Sequence, residues 1–166
     1  MKRLFQKFTI GVVLHVVYAA LVELYRLDSR ARKEMDALPE GMSYSITTGH
    51  KAPVLNVQWQ QGKLSSLVQL AEPVCSLRIK SLAHSFRLFT GQMGLAQAYA
   101  CHAFSMRGEI ADVMKLARLV NLVEGYLFPP VITRRILVEI PPLQVSSLRV
   151  YAAILCGFLS GRYKSL

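Results

Sequence analysis

The sequence predicts an α+β fold: a five-stranded, mainly antiparallel sheet covered on one face by helices, with apolar helical N- and C-terminal extensions. Three observations predict it. Four short segments alternate apolar and polar residues and a fifth, LSSLVQL, does so less regularly, so most read as strands with one wet face and one covered face. The segments beginning at Leu82 and at Ile110 repeat apolar residues at helical spacing. Beyond them, both ends of the chain carry long apolar runs beside basic residues.

The N-terminus, MKRLFQKF, is basic, and Phe8 to Val22 runs without a formal charge. Gly11 is its only helix breaker, so helix is expected. The run is apolar all round, however, and periodicity selects no buried face. Three readings stand. It is a secretory signal with a weak small-residue site around Val17-Tyr18-Ala19. It is an anchor, since a helix from Phe8 to Leu27 would be about 30 Å long, barely a span. Or it is a helix that lies on a membrane or packs in the core.

RLDSRARKEMDALPEG is charged and ends with Pro39 and Gly41, the mark of a surface helix end and turn. MSYSITT then alternates Met42, Tyr44 and Ile46 with serine and threonine, and VLNVQWQ alternates Leu55, Val57 and Trp59 with amides. Gln61-Gly62-Lys63 makes the hairpin turn into LSSLVQL, a third strand ended by Pro73. CSLRIKS and AFSMRGE complete the five, the latter setting Phe104 and Met106 against Ser105 and Arg107.

Between those last two lies LAHSFRLFTGQMGLAQAYACH, with Leu82, Phe86, Phe89, Met93, Ala96 and Tyr99 at helical spacing, and with Gly91 and Gly94 either kinking the helix or letting a ligand approach the backbone. IADVMKLARLVNLVEGYLF follows, with Val113, Leu116, Leu119, Val120, Val123 and Leu127 on one face, and is stopped by Pro129 and Pro130. VITRRILVEI reads as helix because the leading prolines suit a helix start. LQVSSLRVYAAILCGFLSG reads as a last apolar helix, and GRYKSL as a basic tail. The organisation is an apolar and basic helix over 1–38, a sheet-and-helix domain over 39–130 and a helical extension over 131–166.

Apolar residues make up 52% of the chain and charged residues 18%, with a net charge of +10. The charge is concentrated at the ends. Residues 1–33 carry seven Lys/Arg and two Asp/Glu, 34–130 eight and seven, and 131–166 five and one. Basic flanks that are also aliphatic suit an anionic membrane surface and argue against nucleic acid, which calls for basic residues among exposed polar and aromatic ones. Cys75, Cys101 and Cys156 are scattered with no CxxC, as expected of small core residues in a reducing compartment. A cytoplasmic, membrane-associated protein is the expectation, with export through the N-terminal segment as the alternative.

Catalytic and metal constellations are weak. Cys101 and His102 are helix neighbours that point about 100° apart, so they form no dyad. His15, His50 and His84 have no metal-ligand spacing. Glu109 and Asp112 sit at a helix start, where carboxylates satisfy free N–H groups. Gly91 and Gly94 match no phosphate loop. No cofactor is implied. Met93, Met106 and Met114 fill core or mark an adaptable pocket, and Trp59 on the inward strand face touches core or ligand.

The order of strands, helix, short strand ending in Gly108-Glu109 and helix resembles the sterol carrier protein type 2 domain over roughly residues 42–125. In that family a strand like LRIKS precedes a helix, and Gly108 and Glu109 stand where the family has Gly-Asp. The resemblance implies a tunnel between sheet and helices that holds lipid, fatty acyl chains or isoprenoids. It also implies, from bacterial relatives, an accessory role in isoprenoid-quinone synthesis.

The expected function is non-catalytic binding or transfer of an apolar lipid in a cavity at a membrane surface. A membrane-associated scaffold for a lipid-modifying enzyme complex is the alternative, and an acyl-thioester hydrolase the third reading. The expected cavity lies between the helix from Leu82 to Tyr99, the helix from Val113 to Leu127 and the inward sheet face. Its expected lining is Trp59, Phe86, Phe89, Met93, Tyr99, Phe104, Met106, Leu116 and Leu119.

Overall fold

Alternation along the strands fixes which side chains point inward, and the register aligns them into rows. The computed structural model describes residues 2–49 and 52–163. Its five strands are β1 (Ser43–Thr47), β2 (Val54–Gln60), β3 (Lys63–Leu67), β4 (Cys75–Ile79) and β5 (Phe104–Arg107). They form one sheet in the order β3-β2-β1-β4-β5. Tyr44 pairs with Val57 on one side and Cys75 on the other; Ile46 pairs with Leu55 and Leu77, and Leu77 with Met106. These rows make a continuous apolar inner face.

The β1–β4 pair is parallel and the other three pairs are antiparallel, so the sheet is mixed. That follows from topology. β3 is an edge strand and β4 lies beyond β2 and β1, so the chain from Val68 to Val74 has to cross the sheet to reach it. It crosses the polar face, where the Val74 N–H donates to Ser43 Oγ at 3.1 Å. The expected third strand therefore stops at Leu67 and does not continue to Leu70. Beneath, Ser45 and Asn56 are buried and bonded to each other at 2.7 Å. The β2–β3 hairpin turns on Gln61 (φ 52°) and Gly62 (φ 69°), the double positive φ that a two-residue hairpin of this twist requires.

The helices are α1 (Lys2–Leu27), α2 (Ser29–Asp36), α3 (Leu82–Phe89), α4 (Leu95–Ala100), α5 (Ile110–Leu127), α6 (Pro130–Ile136) and α7 (Ser147–Leu159). The single kinked helix expected over Leu82–Tyr99 is two helices. Gly91 at φ 69° ends the first, and Gly94 brings α4 so close to α6 that an added Cβ would overlap the Ile136 carbonyl. α6 ends at Ile136, short of the Ile140 expected from the sequence.

By length and composition α1 is apolar enough to cross a membrane. Here its stripe Ile10, Leu14, Tyr18, Leu21 and Leu24 lies inside the protein, packed across α3, α5, α7 and the edge of the sheet. Tyr18 donates to the Leu64 carbonyl at 3.2 Å, and the Tyr25 ring stands edge-on to Trp59 at 5.3 Å. Its exposed large apolar side chains are Leu4, Phe5, Phe8 and Val12.

Two polar clusters hold the helices in place. Asp28 caps α2 by accepting from the Arg30 N–H at 2.8 Å, and its buried carboxylate receives the Tyr126 hydroxyl of α5 at 2.7 Å. Glu23 of α1, also buried, accepts from Arg162 at 2.5 Å and from the Tyr163 hydroxyl at 2.8 Å. Part of the expected basic tail is thus committed to an internal ion pair; Lys164, Ser165 and Leu166 lie outside the described residues.

Candidate functional site

The inner sheet face and the helices above it line a partly open cavity of about 230 Å³. Ile46 and Leu77 form its floor from the centre of the sheet, and Met106 extends it onto β5. α5 supplies the longest wall: Val113, Leu116, Ala117, Val120, Val123, Glu124 and Leu127 recur at helical spacing along one stripe. α1 contributes Val13, Val16 and Val17 opposite, so the N-terminal helix is a wall of this cavity. Leu88 and Phe89 of α3, Leu95 of α4, Phe128 and Tyr151 complete the lining.

Three of the expected lining residues, Phe89, Met106 and Leu116, meet in this cavity. The other six do not line it. Trp59 sits at the end of β2 that faces α1, where Tyr25 covers it. Phe86 is half-buried with its ring 6.4 Å from that of Phe5, because α1 lies over α3. Met93 is buried in the Gly91–Gly94 linker between α3 and α4. Breaking the helix there turns Tyr99 to the surface, 66% exposed, with its ring 6.1 Å from that of the buried Phe104. Leu119 belongs to a second α5 stripe with Leu122 and Tyr126, which faces α2 through the Tyr126–Asp28 bond.

The remaining candidates are structural. Cys75 is buried, but Cys101 and Cys156 are exposed, the latter because α7 turns only one face inward. His102 takes a left-handed backbone (φ 50°) one residue beyond the α4 cap, apart from any acid in its hydrogen bonds. His15 bonds the Gly11 carbonyl at 2.7 Å and His84 bonds Ser81 Oγ, the cap of α3, at 2.9 Å. His50 lies outside the described residues. Glu109 occupies the α5 cap position without a side-chain capping bond, and Asp112 in the first turn pairs with Lys115 at 3.2 Å. No group of three His, Cys, Asp or Glu suited to a metal occurs among the described residues.

Glu124 is the group that pattern reasoning passed over. It is 7% exposed, and its Oε2 has no hydrogen-bond partner among the described residues. Burial pushes its carboxyl up to about 7. The signal in the sequence was a lone acid inside NLVEGYLF, in a helix otherwise apolar on that side. Tyr151 is the other cavity residue with a side-chain oxygen, and its hydroxyl is taken up by the Leu127 carbonyl at 2.6 Å.

The fold and the cavity together define a class: an α+β protein with a five-stranded mixed sheet and an apolar cavity beneath its helices. No protein-family model and no curated protein matches the chain. Among solved structures it is similar to one described as a UbiJ-SCP2 ubiquinone synthesis protein, with 14% identity over 75% of this chain and all of that one, at a TM-score of 0.47. It is similar also to the crystal structure of sterol carrier protein 2 like 2 from Aedes aegypti, with 16% identity over 57% of this chain and 94% of that one (TM-score 0.36). The solution structure of palmitated SCP2L2 from Aedes aegypti is similar over 61% of this chain and 91% of that one, with 15% identity and a TM-score of 0.38. The superpositions are partial, and it is the cavity that carries the functional reading.

Proposed function

We propose that the protein binds an apolar chain in this cavity, at a membrane surface, and catalyses no reaction on it. The cavity carries the reading: about 230 Å³ walled almost wholly by aliphatic and aromatic side chains. Each methylene that leaves water for such a wall stabilises a ligand by roughly 0.8 kcal/mol gross, before the cost of association. The two polar side chains in the wall, Glu124 and Tyr151, make no nucleophile–base pair, which supports binding over hydrolysis.

The first test is mass spectrometry of an organic extract of the purified protein, together with titration by a fluorescent hydrocarbon probe. An apolar molecule is expected in the extract. Ala117→Phe, which fills the cavity from α5, should weaken probe uptake about tenfold or more while the thermal midpoint holds. No lipid in the extract and no probe uptake would return the protein to the scaffold reading. Turnover of an acyl thioester that tracks with the protein would revive the enzyme.

The membrane part of the proposal draws on surface chemistry. Leu4, Phe5, Phe8 and Val12 of α1 and Leu155, Phe158 and Leu159 of α7 are exposed, and a groove joins the two helices at Phe8, Val12 and Phe158. Lys2, Arg3 and Lys7 lie on the same turns of α1 as these residues. An apolar patch with a cationic edge fits an anionic bilayer, because insertion and charge attraction add. Deleting 1–33 would remove a core helix, so substitution is the informative test. Leu4→Asp with Phe8→Asp should cut sedimentation with anionic vesicles tenfold or more at an unchanged thermal midpoint. Undiminished sedimentation of the variant would remove this surface from the proposal.

A further inference from the structure

We infer that Glu124 is the head-group position of the cavity and selects a hydrocarbon chain ending in a hydroxyl over the same chain ending in a carboxylate. The inference rests on the apolar-chain reading above and assigns the chemistry of one end of the ligand.

An acid on an apolar cavity wall is costly to keep, and a buried carboxyl oxygen with no partner more so. Glu124 is that group: 7% exposed, Oε2 unbonded, and in no ion pair among the described residues. The rest of the wall offers it nothing. Its neighbours on the same stripe, Val120, Val123 and Leu127, are aliphatic, and the Tyr151 hydroxyl is already donating to the Leu127 carbonyl. Among the described residues the site lacks a hydrogen-bond donor, and the space beside it is the one proposed for the chain.

A hydroxyl supplies that donor. Donated to an ionised carboxylate in a dry site, it makes a short, charge-assisted bond and leaves the alkyl remainder among the valines and leucines. A carboxylate head brings a second negative charge and a second acceptor to the same place, and one of the two must take up a proton. Burial holds Glu124 near pH 7, so above that pH the conflict is at its strongest.

The experiment compares decanol with decanoate as competitors of the neutral fluorophore N-phenylnaphthylamine, on the full chain at pH 8. An anionic chain is disfavoured in any apolar cavity, so the readout is how the decanol-to-decanoate affinity ratio changes with residue 124. The ratio should fall about tenfold or more in Glu124→Leu, which loses the acceptor, because a hydrogen bond to a charged group is worth about that factor. It should fall likewise in Glu124→Gln, whose amide also donates to a carboxylate. A ratio unchanged within about threefold in both variants overturns the head-group assignment and leaves the apolar-chain reading intact. If neither decanol nor decanoate displaces the fluorophore from wild type, the apolar-chain reading fails and the assignment falls with it.

Discussion

At pH 8 the Glu124→Gln protein should be more stable than wild type by about 3 kcal/mol, and at pH 4 the two should coincide. Burial raises the Glu124 carboxyl from 4.5 to about 7, and that gap at 1.36 kcal/mol per pH unit sets the size. The sign follows from proton binding. Between pH 4.5 and about 7 the folded protein holds a proton on Glu124 that the unfolded chain has lost. Wild-type stability from this group is therefore fully present below 4.5 and is lost as pH rises through 7. The amide introduced by Glu124→Gln carries no charge at either pH, so the variant escapes the loss. Chemical denaturation at pH 4, 6 and 8 measures it. A constant difference between the two proteins across that range would mean that Glu124 has the same proton affinity folded and unfolded, and that the site is wetter than its burial implies.

The strands were legible because half-burial leaves a period of two, and each of the five falls within a few residues of its expected place. Their directions were less so. Alternation says which face a residue occupies but not which strand lies beside it, so the parallel β1–β4 pair emerged only with the crossover from Val68 to Val74. α1 is the opposite case. Because Phe8 to Val22 is apolar all round, no periodicity distinguishes the stripe through Leu14 and Tyr18 from Phe8 and Val12, and only packing against α3, α5 and α7 separates them.

The site depended on that same helix. Phe89, Met106 and Leu116 could be placed from the faces of their own elements. Val13, Val16 and Val17 could not, since their role comes from where α1 lands. α1 also decides the fate of Trp59 and Phe86, which it covers with Tyr25 and Phe5 and so removes from the cavity. Tyr99 is turned to the surface by a backbone event: the left-handed residue at Gly91 and the tight approach at Gly94 restart the helix in a new phase. Glu124 is visible as a residue, but its meaning requires knowing that no donor among the described residues reaches its Oε2.

Asp28→Ala should cost about 3 kcal/mol, and Tyr126→Phe about 1–2 kcal/mol, with the double variant costing clearly less than the sum. Burial alone would push the Asp28 carboxyl up, but hydrogen bonds from Arg30 and Tyr126 outweigh it and hold the group below the usual carboxylate range. Its stabilisation is therefore present above the ordinary aspartate range and is lost as pH falls through it. The Tyr126 hydroxyl donates to Asp28 at 2.7 Å and accepts from the Gln144 N–H at 3.0 Å, joining the α1–α2 corner, α5 and the approach to α7. Losing either partner strands the other, so the costs cannot add. The same bond ties α5 to the α1–α2 corner, and both α1 and α5 wall the cavity. Hydrocarbon-probe uptake by Tyr126→Phe should accordingly weaken severalfold at a temperature where the variant is still folded. A double-mutant cycle additive within about 0.5 kcal/mol, with uptake unaltered, would show that the corner is held by apolar packing and that this bond does not position the cavity wall.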